Sequence, residues 1–330
     1  MTTRREFLQA TSLTLGSLAL GSRAMAADFP SRSFDVVIPT REGGGADRLL
    51  RAFAGVWKTY LDVDLDIGFF PGASGAVGYQ VYMGKRDHDP HNLLFGNMGP
   101  ELAVMVVQEP GYSYPEDFQY FARLDVDPSV MFVNADSPFQ TVDDIIAAAK
   151  ERPLNVSTSR LPHPASIGAL LLGEHTGAQF NLVPLSGGRN TIAGVVTGEV
   201  DLGVLPSGSV GAAGDALRTL LVWDDTNPNP EVFSNAPTMN EHFGTSAPAL
   251  VSSRAFAIHS ATIEQFPEEF ALLESTAKQA AEDPAWIEAA KEANQPVEIL
   301  KFGDRAACET FAVGMIEQAT KYKGLLTGKG

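Results

Sequence analysis

Apolar runs rich in β-branched residues alternate with stretches of helical periodicity along most of this chain. Residues 34–40 have the pattern of a strand that stops at glycines 43–45, and residues 47–60 then show the apolar spacing of a helix. The same order recurs further on, with a strand at 63–70 and a glycine-rich break at 71–78 before a second helical stretch. The first hundred residues therefore predict repeated strand, glycine loop and helix units.

The middle of the chain repeats this alternation, and Thr141 with Asp144 has the spacing of a capping box at the start of a helix. Strands at this spacing predict mainly parallel sheets with helical crossovers. The last 70 residues are mostly helical. Predicted strands lie at 93–96, 120–124, 130–134, 154–157, 180–184 and 201–205, and predicted helices at 145–152, 166–176, 190–197, 264–281, 284–294 and 305–321.

Two α/β runs and a helical tail predict an α/β protein of two lobes. We expect the tail to pack back on the first lobe, so the chain would cross between lobes near 125–130 and near 223–252. A double crossover is the hinge with which two-lobe binding proteins close on a ligand. The predicted lobes are 27–125 plus 245–330 for the first and 126–244 for the second.

The first 26 residues have the pattern of an export signal. Arg4 and Arg5 precede Phe-Leu, an apolar run spans 10–20, and the small-residue pattern Ala-Met-Ala ends at Ala26. Paired arginines in this position resemble a twin-arginine signal. The apolar run is shorter than the roughly 20 residues of a transmembrane helix. We expect cleavage after the signal and a soluble product outside the cytoplasmic membrane.

Composition excludes several partners and cofactors. The 330 residues carry 24 Lys and Arg against 40 Asp and Glu, a net charge of -16, so we expect no nucleic acid partner. Cys308 is the single cysteine, which excludes an internal disulfide and a thiolate zinc cage. No glycine cluster has the spacing of a phosphate-binding loop, so we expect no nucleotide cofactor.

Catalytic motifs are incomplete. Residues 72–76 and 207–211 approach the nucleophile elbow G-x-S-x-G, but each lacks one glycine. Pro90 interrupts the helical spacing that His88 and His91 would need to bind zinc. We therefore expect no catalytic residue and no metal ligand. An enzyme acting on an acid or ester, with Asp201 or Glu199 as base, is the alternative, although Asp201 also suits a simple capping role.

Glycines and hydroxyl residues stand at the predicted strand-to-helix junctions. Residues 43–47 bring backbone N–H groups to the start of a helix, where anions are favoured. Residues 157–160, together with Ser166, supply hydroxyls and a cation, and residues 186–189 form a third such loop. Ligands of open α/β sheets collect at the carboxyl ends of strands. The pattern predicts a small carboxylate ligand, although residues 43–47 also suit a plain tight turn with Asp47 facing the helix dipole.

The order of these motifs resembles the tripartite tricarboxylate transporter solute-binding family, also called the Bug family. The resemblance begins with Ile38-Pro39, the glycines of 43–47 and the loop 70–78. It continues over essentially the whole mature chain through further motifs. These are Pro138 with 141–146, Asn155 to Ser159, Val183-Pro184, 198–201, and Ala236-Pro237-Thr238 through Glu241 and Gly244.

The resemblance implies a monomeric periplasmic binding protein, type II-like, that delivers an organic acid to membrane permease subunits. It implies that backbone amides, hydroxyls and waters of the glycine loops and the serine loop hold a carboxylate. Coupling of the same fold to a sensor kinase is an alternative. The predicted ligand-binding residues are Arg41, Gly43, Gly44, Gly45, Ala46, Asp47, Pro71, Gly72, Ala73, Ser74, Ser157, Thr158, Ser159, Arg160, Ser166, Ser186, Gly187 and Asp201.

Two departures from the family pattern change the prediction. Ala46 stands where the family usually has a hydroxyl, and Leu185-Ser186 stand where it has a tyrosine and a basic residue. In contrast, Arg41, Arg160 and Arg189 lie in or beside loops that are commonly uncharged. A charge-assisted hydrogen bond contributes about 1.5–3 kcal/mol. We hypothesise that at least one of these arginines pairs with a ligand carboxylate, the alternative being solvated arginines at the rim.

Overall fold

A computed structural model describes residues 29–327 of the chain. The strands are β1 Phe34–Ile38, β2 Leu65–Phe69, β3 Asn92–Asn97, β4 Phe118–Asp125, β5 Asp127–Asn134, β6 Leu154–Thr158, β7 Phe180–Pro184, β8 Leu202–Pro206, β9 Leu217–Trp223, β10 Val251–Ser252, β11 Arg254–His259 and β12 Leu300–Gly303. The helices are α1 Gly45–Leu61, α2 Ala76–Lys85, α3 Met98–Gln108, α4 Val142–Glu151, α5 Pro164–Thr176, α6 Gly188–Val196, α7 Ser207–Gly211, α8 Met239–Phe243, α9 Ser260–Gln265, α10 Pro267–Glu282, α11 Pro284–Glu292, α12 Arg305–Lys321 and α13 Lys323–Leu326.

These strands form two six-stranded sheets, one for each lobe. The first has the order β12-β4-β11-β3-β1-β2. The second has the order β10-β5-β8-β6-β7, with β9 also paired to β5. The two-lobe α/β architecture predicted from the sequence is therefore confirmed.

Both sheets are mixed, which corrects the prediction of mainly parallel sheets. In the first, β1 pairs in parallel with β2 and β3, whereas β11 runs antiparallel to β3 and β4. In the second, β6 is parallel to β7 and β8, whereas β5 is antiparallel to β8 and β9. Strands joined by helical crossovers are parallel, and the antiparallel strands are those that follow a passage of the chain between sheets.

The chain passes between the two sheets at two points. Val126 separates β4 of the first sheet from β5 of the second. The return occurs at Ser253, which separates β10, paired with β5, from β11 of the first sheet. These adjacent crossings form the predicted double-crossover hinge. The limits of the lobes, 27–125 with 245–330 and 126–244, stay a prediction.

Hydrophobic cores cover both faces of each sheet. Helices α1, α10 and α11 pack on one face of the first sheet around the buried rings of Phe53, Trp57 and Phe256. Trp57 also donates a hydrogen bond to Thr276 at 3.0 Å. Helix α12 packs against α3 and β4, and Cys308 on it is buried. The tail therefore returns to the first lobe, as the sequence predicted.

The helix-capping motif predicted from the sequence is present at the start of α4. Thr141 accepts a hydrogen bond from the backbone N–H of Asp144, whose side chain accepts one from Thr141 N–H, so the predicted capping box is confirmed. Within residues 29–327, no helix combines the length and the apolar content needed to cross a bilayer. The predicted export signal, residues 1–26, lies outside the described residues.

Candidate ligand-binding site

The carboxyl ends of the parallel strands in both sheets meet at the gap between the lobes. Gly99, at the start of α3, lies against the backbone of Val251 and the ring of Pro164. Val251 belongs to β10, which pairs with β5 of the second sheet, and Pro164 is the first residue of α5. A Cβ at Gly99 would lie 2.4 Å from the Val251 carbonyl oxygen. Only glycine therefore allows so close an approach here. The loop after β6 contacts the loop after β2 through Arg160 and Ser74, and it contacts the loop after β7 through Ser159 and Gly187.

The first glycine loop connects β1 to α1, and its last residues begin the helix. Asp47 is buried, and its carboxylate accepts hydrogen bonds from the Gly43 N–H at 2.7 Å and from Arg51 at 2.6 Å. The side chain of Asp47 therefore shapes the loop and takes one of its amides. No side chain caps the start of α1 at Gly44, so the amides of its first turn stay available to an anion.

The second glycine loop connects β2 to α2 and has an unusual backbone. Gly72, Ala73, Ser74 and Gly75 have φ angles of 141°, 44°, 59° and 104° in succession. Positive φ at a non-glycine residue costs on the order of 1–3 kcal/mol and clusters at functional sites. The helix that follows, α2, also begins without a side-chain cap.

The second lobe contributes the loop after β6. Thr158 and Ser166 are buried, their hydroxyls lie 2.8 Å apart, and each donates to the Arg160 carbonyl oxygen. Ser157 is also buried, and its hydroxyl donates to the Thr191 carbonyl at 3.1 Å. Ser159 accepts from Gly187 N–H through its carbonyl. The predicted hydroxyls thus fix the turn that presents Arg160.

Arg160 links the two lobes across the cleft. Its guanidinium donates a short hydrogen bond to the carbonyl oxygen of Ser74 in the second glycine loop. Burial lowers the pKa of Arg160, whereas the nearby Glu101 and Tyr79 raise it. Of the three arginines singled out in the sequence, Arg160 spans the gap, whereas Arg41 and Arg189 are exposed.

The loop after β7 adds a further helix start to this edge. Ser186 and Gly187 have positive φ angles of 55° and 105°, and α6 begins without a side-chain cap. By contrast, helices α4, α8, α11 and α12 begin with the side-chain caps Thr141, Thr238, Asp283 and Asp304. The first amides of α1 and α6, residues 45–47 and 188–190, therefore have no acceptor among the described residues. At the start of α2, by contrast, the N–H groups of Gly75 and Val77 donate to the Gly72 carbonyl.

Asp201 does not belong to this group, which corrects the sequence prediction. It precedes β8, which is parallel to β6, so it lies at the opposite edge of the sheet from Arg160. Its carboxylate accepts hydrogen bonds from Arg152 at 2.7 Å and from the Asn155 N–H at 2.8 Å. Burial opposes this ionisation, but Arg152 and the Asn155 amide lower the pKa of Asp201. It therefore has a structural role.

Sequence reasoning missed a buried polar cluster of Glu101, Tyr79 and Tyr120 next to the second glycine loop. Glu101, in the first turn of α3, is 5% exposed and accepts from the Asn97 N–H at 2.7 Å and the Tyr79 hydroxyl at 3.0 Å. The Tyr79 hydroxyl also contacts that of Tyr120. Burial raises the pKa of Glu101 to about 7, although Arg160 lowers it. Polar residues directly after the predicted strand 93–96 were the available signal.

A second missed cluster lies at the hinge. Arg254, the first residue of β11, donates to the carboxylates of Asp125 and Asp127, and its guanidinium would lie 3.8 Å from a Cβ placed on Gly45. Burial opposes the charge of Arg254, but the two aspartates raise its pKa. Burial also raises the pKa of Asp125 to about 6. The cluster thus stands beside the first glycine loop.

A family model described as the tripartite tricarboxylate transporter family receptor matches residues 67–306. The chain belongs to this family. The resemblance noted in the sequence is thereby confirmed. The match extends from β2 to the start of α12, so it includes the loops after β2, β6 and β7, whereas the first glycine loop precedes it.

Two curated relatives are about a quarter identical to this chain in sequence. BugT of Bordetella pertussis is 25% identical over 257 residues, which are 76% of this chain and 77% of BugT. The UPF0065 protein of the tcbD-tcbE intergenic region in Pseudomonas sp. is 24% identical over 201 residues. That match spans 60% of this chain and only 59% of the relative's length.

Several solved structures share the fold over nearly the whole chain. A TctC solute-binding protein from Polaromonas, without ligand, is 25% identical with a TM-score of 0.71, covering 91% of this chain and 99% of that one. A protein of R. palustris with adipate is 21% identical with a TM-score of 0.74 and the same coverage. MatC from Rhodopseudomonas palustris with bound malate is 18% identical with a TM-score of 0.70, covering 89% and 100%.

Proposed function

We propose that this protein is a periplasmic solute-binding receptor that captures a small organic acid by its carboxylate and delivers it to the membrane subunits of a tripartite tricarboxylate-type transporter. It acts by binding and lobe closure, as a monomer and without catalysis. The observation that carries the proposal is the position of Arg160, which reaches from the second lobe to the second glycine loop of the first. A cation and uncapped helix starts from both lobes therefore border one cleft.

The chemistry of this cleft suits a carboxylate. Backbone N–H groups at a helix start and a guanidinium are both donors without acceptor capacity, so they favour an anion over a neutral group. Closing the lobes removes water and strengthens these contacts, and roughly micromolar affinity corresponds to about -8 kcal/mol. The adipate and malate named for two structures of the same fold are small carboxylates of this kind.

A thermal-shift screen of the mature protein against small mono- and dicarboxylates tests the proposal. A ligand at 100 times its Kd adds about 2.7 kcal/mol of stability. We expect a shift with at least one acid and none with its dimethyl ester, which has the same skeleton without charge. Isothermal titration then gives the affinity, and chromatography of the mixture checks that the acid is recovered unchanged. No shift with any acid, or conversion of the acid to a product, would contradict the proposal.

A further inference from the structure

Only one of the two carboxylate oxygens of Glu101 has hydrogen-bond partners among the described residues. Its Oε2 atom accepts hydrogen bonds from the Asn97 N–H and the Tyr79 hydroxyl. Its Oε1 atom is buried and has no hydrogen-bond partner among the described residues. Leaving a buried acceptor unpaired costs free energy, more so when it is charged. Buried acceptors without a protein partner are satisfied by a donor from outside the chain, which is an ordered water or a group of a ligand.

Space for that donor lies beside the second glycine loop. A Cβ on Gly75 would lie 3.2 Å from Oε1 and 3.0 Å from the Glu101 Cγ, so the glycine leaves this side of the carboxylate uncrowded. A cavity of about 10 Å³ borders Ser74, Gly75, Tyr79 and Glu101. This is close to the volume that one water needs. A hydroxyl or ammonium group is of similar size.

Opposite charges stand on the two sides of this loop. Arg160 comes from the second lobe and donates to the Ser74 carbonyl, whereas Glu101 comes from the first lobe and packs under Gly75. The distance between their charged groups exceeds that of an ion pair, yet each influences the ionisation of the other. A ligand placed between them meets a donor cation and an acceptor carboxylate.

We infer that Glu101 is a specificity-determining residue, whose Oε1 accepts a hydrogen bond from a hydroxyl or ammonium group of the ligand. The inference rests on the proposed function, in which the glycine loops and Arg160 hold the ligand's carboxylate. Glu101 and Arg160 together favour a ligand that carries both a carboxylate and a hydroxyl or ammonium group. The ligand class is therefore an amino acid or hydroxy acid rather than a plain dicarboxylate.

Capping of α3 does not account for this arrangement. In that role the Oε2 atom accepts the hydrogen bond from the Asn97 N–H. The side-chain carbonyl oxygen of a glutamine would accept the same hydrogen bond. A capping role predicts a change of stability when Glu101 is altered. It predicts no change in the preference between two ligands, so ligand preference separates the two roles.

The test compares matched acids on wild type and Glu101→Gln by isothermal titration at pH 8. The acids form two sets, each with one carbon skeleton. The first set is succinate, malate and aspartate, and the second is glutarate, 2-hydroxyglutarate and glutamate. We expect wild type to bind a hydroxy or amino acid at least about tenfold more tightly than its parent dicarboxylate. Glu101→Gln should reduce this ratio to about two or less.

Glu109→Gln is the matched control, because it removes the same charge at the far end of α3, where Glu109 pairs with Lys323 on the surface. It should retain the wild-type ratio. Glu101→Asp moves the carboxylate back by the length of one methylene, so this variant should lose the preference for hydroxy and amino acids. It provides a second test in case Glu101→Gln does not fold. A ratio near one in wild type, or an unchanged ratio in both Glu101 variants, overturns the inference. Failure of every acid to bind overturns the proposed function, and this inference with it.

Discussion

The Asp127 carboxylate, at the start of β5 in the second sheet, lies 3.3 Å from the Arg254 guanidinium, at the start of β11 in the first. The other oxygen of Asp127 accepts hydrogen bonds from the Ser207 hydroxyl and the Gly208 N–H, both at 2.9 Å. One buried side chain therefore holds the starts of β11 and α7 together across the hinge. The geometry of the cleft depends on this contact as well as on the loops that line it.

Removing the cation from this cluster should be costly. Arg254→Met leaves the buried carboxylates of Asp125 and Asp127 without a positive partner, and breaking a buried ion pair costs about 3–5 kcal/mol. The loss should be larger at pH 8 than at pH 5, because the pKa of Asp125 is about 6 and protonation relieves part of the penalty. Urea unfolding at the two pH values measures it.

Arg32→Met is the control for this substitution, since the Arg32 to Asp89 pair is largely exposed. Such surface pairs contribute about 0–1 kcal/mol. Equal small losses for both variants would show that the hinge cluster contributes no more than a surface pair.

Arg160 should contribute strongly to affinity. Arg160→Ala removes the cation that reaches the second glycine loop, and the loss of one charge-assisted hydrogen bond predicts about 10- to 100-fold weaker binding of the cognate acid. Arg152→Ala, which affects only the opposite edge of the same sheet, should bind like wild type. Isothermal titration of both variants checks the prediction, and unchanged affinity for Arg160→Ala would remove this residue from the site.

The second glycine loop should tolerate no side chain at Gly75. Gly75→Ala places a Cβ against Glu101 at a φ of 104°, so we expect a loss of about 1–3 kcal/mol in unfolding free energy. In the following helix, Gly84 has open space around it, and Gly84→Ala should stabilise the protein by up to about 1 kcal/mol. Chemical denaturation measures both. Equal effects of the two substitutions would contradict the strained geometry of the loop.

Glu101 should make stability depend on pH with a definite sign. Burial raises its pKa from the ordinary 4.5 to about 7, so the folded protein keeps the proton while the unfolded chain releases it. Stability is therefore fully present below pH 4.5 and falls as pH rises towards 7, by about 3 kcal/mol in total. Glu101→Gln lacks this loss, so its unfolding free energy should rise relative to wild type between pH 4 and pH 8.

Glu109→Gln should change with the opposite sign, because Lys323 lowers the pKa of the exposed Glu109. Measuring urea unfolding of wild type and both variants at pH 4, 6 and 8 separates these effects. A constant difference between Glu101→Gln and wild type over this range would show that the folded state does not raise the pKa of Glu101.

The glycine loops could be predicted from the sequence because their signals are local. Glycines 43–45 come shortly after the predicted strand 34–40, and Gly72 and Gly75 come shortly after the predicted strand 63–70. The capping box at Thr141 needs only four consecutive residues. Asp201 was wrongly predicted to bind the ligand. Its position at the start of a predicted parallel strand already indicated the opposite edge of the sheet, because the residues that line the site follow their strands. Glu101 follows the predicted strand 93–96 on the correct side and was overlooked.

The sequence by itself determined the alternation of strands and helices, the glycine loops and the family, because these depend on the order and spacing of neighbouring residues. The tertiary structure decided which strands run antiparallel, which arginine crosses the cleft, and that Glu101 lies behind Gly75. Those relationships join residues that are far apart in the sequence. Gly75 and Glu101 are 26 positions apart, and Ser74 and Arg160 are 86 positions apart. Only packing brings such residues together, and burial then sets the charge and hydrogen-bonding state of the groups it encloses.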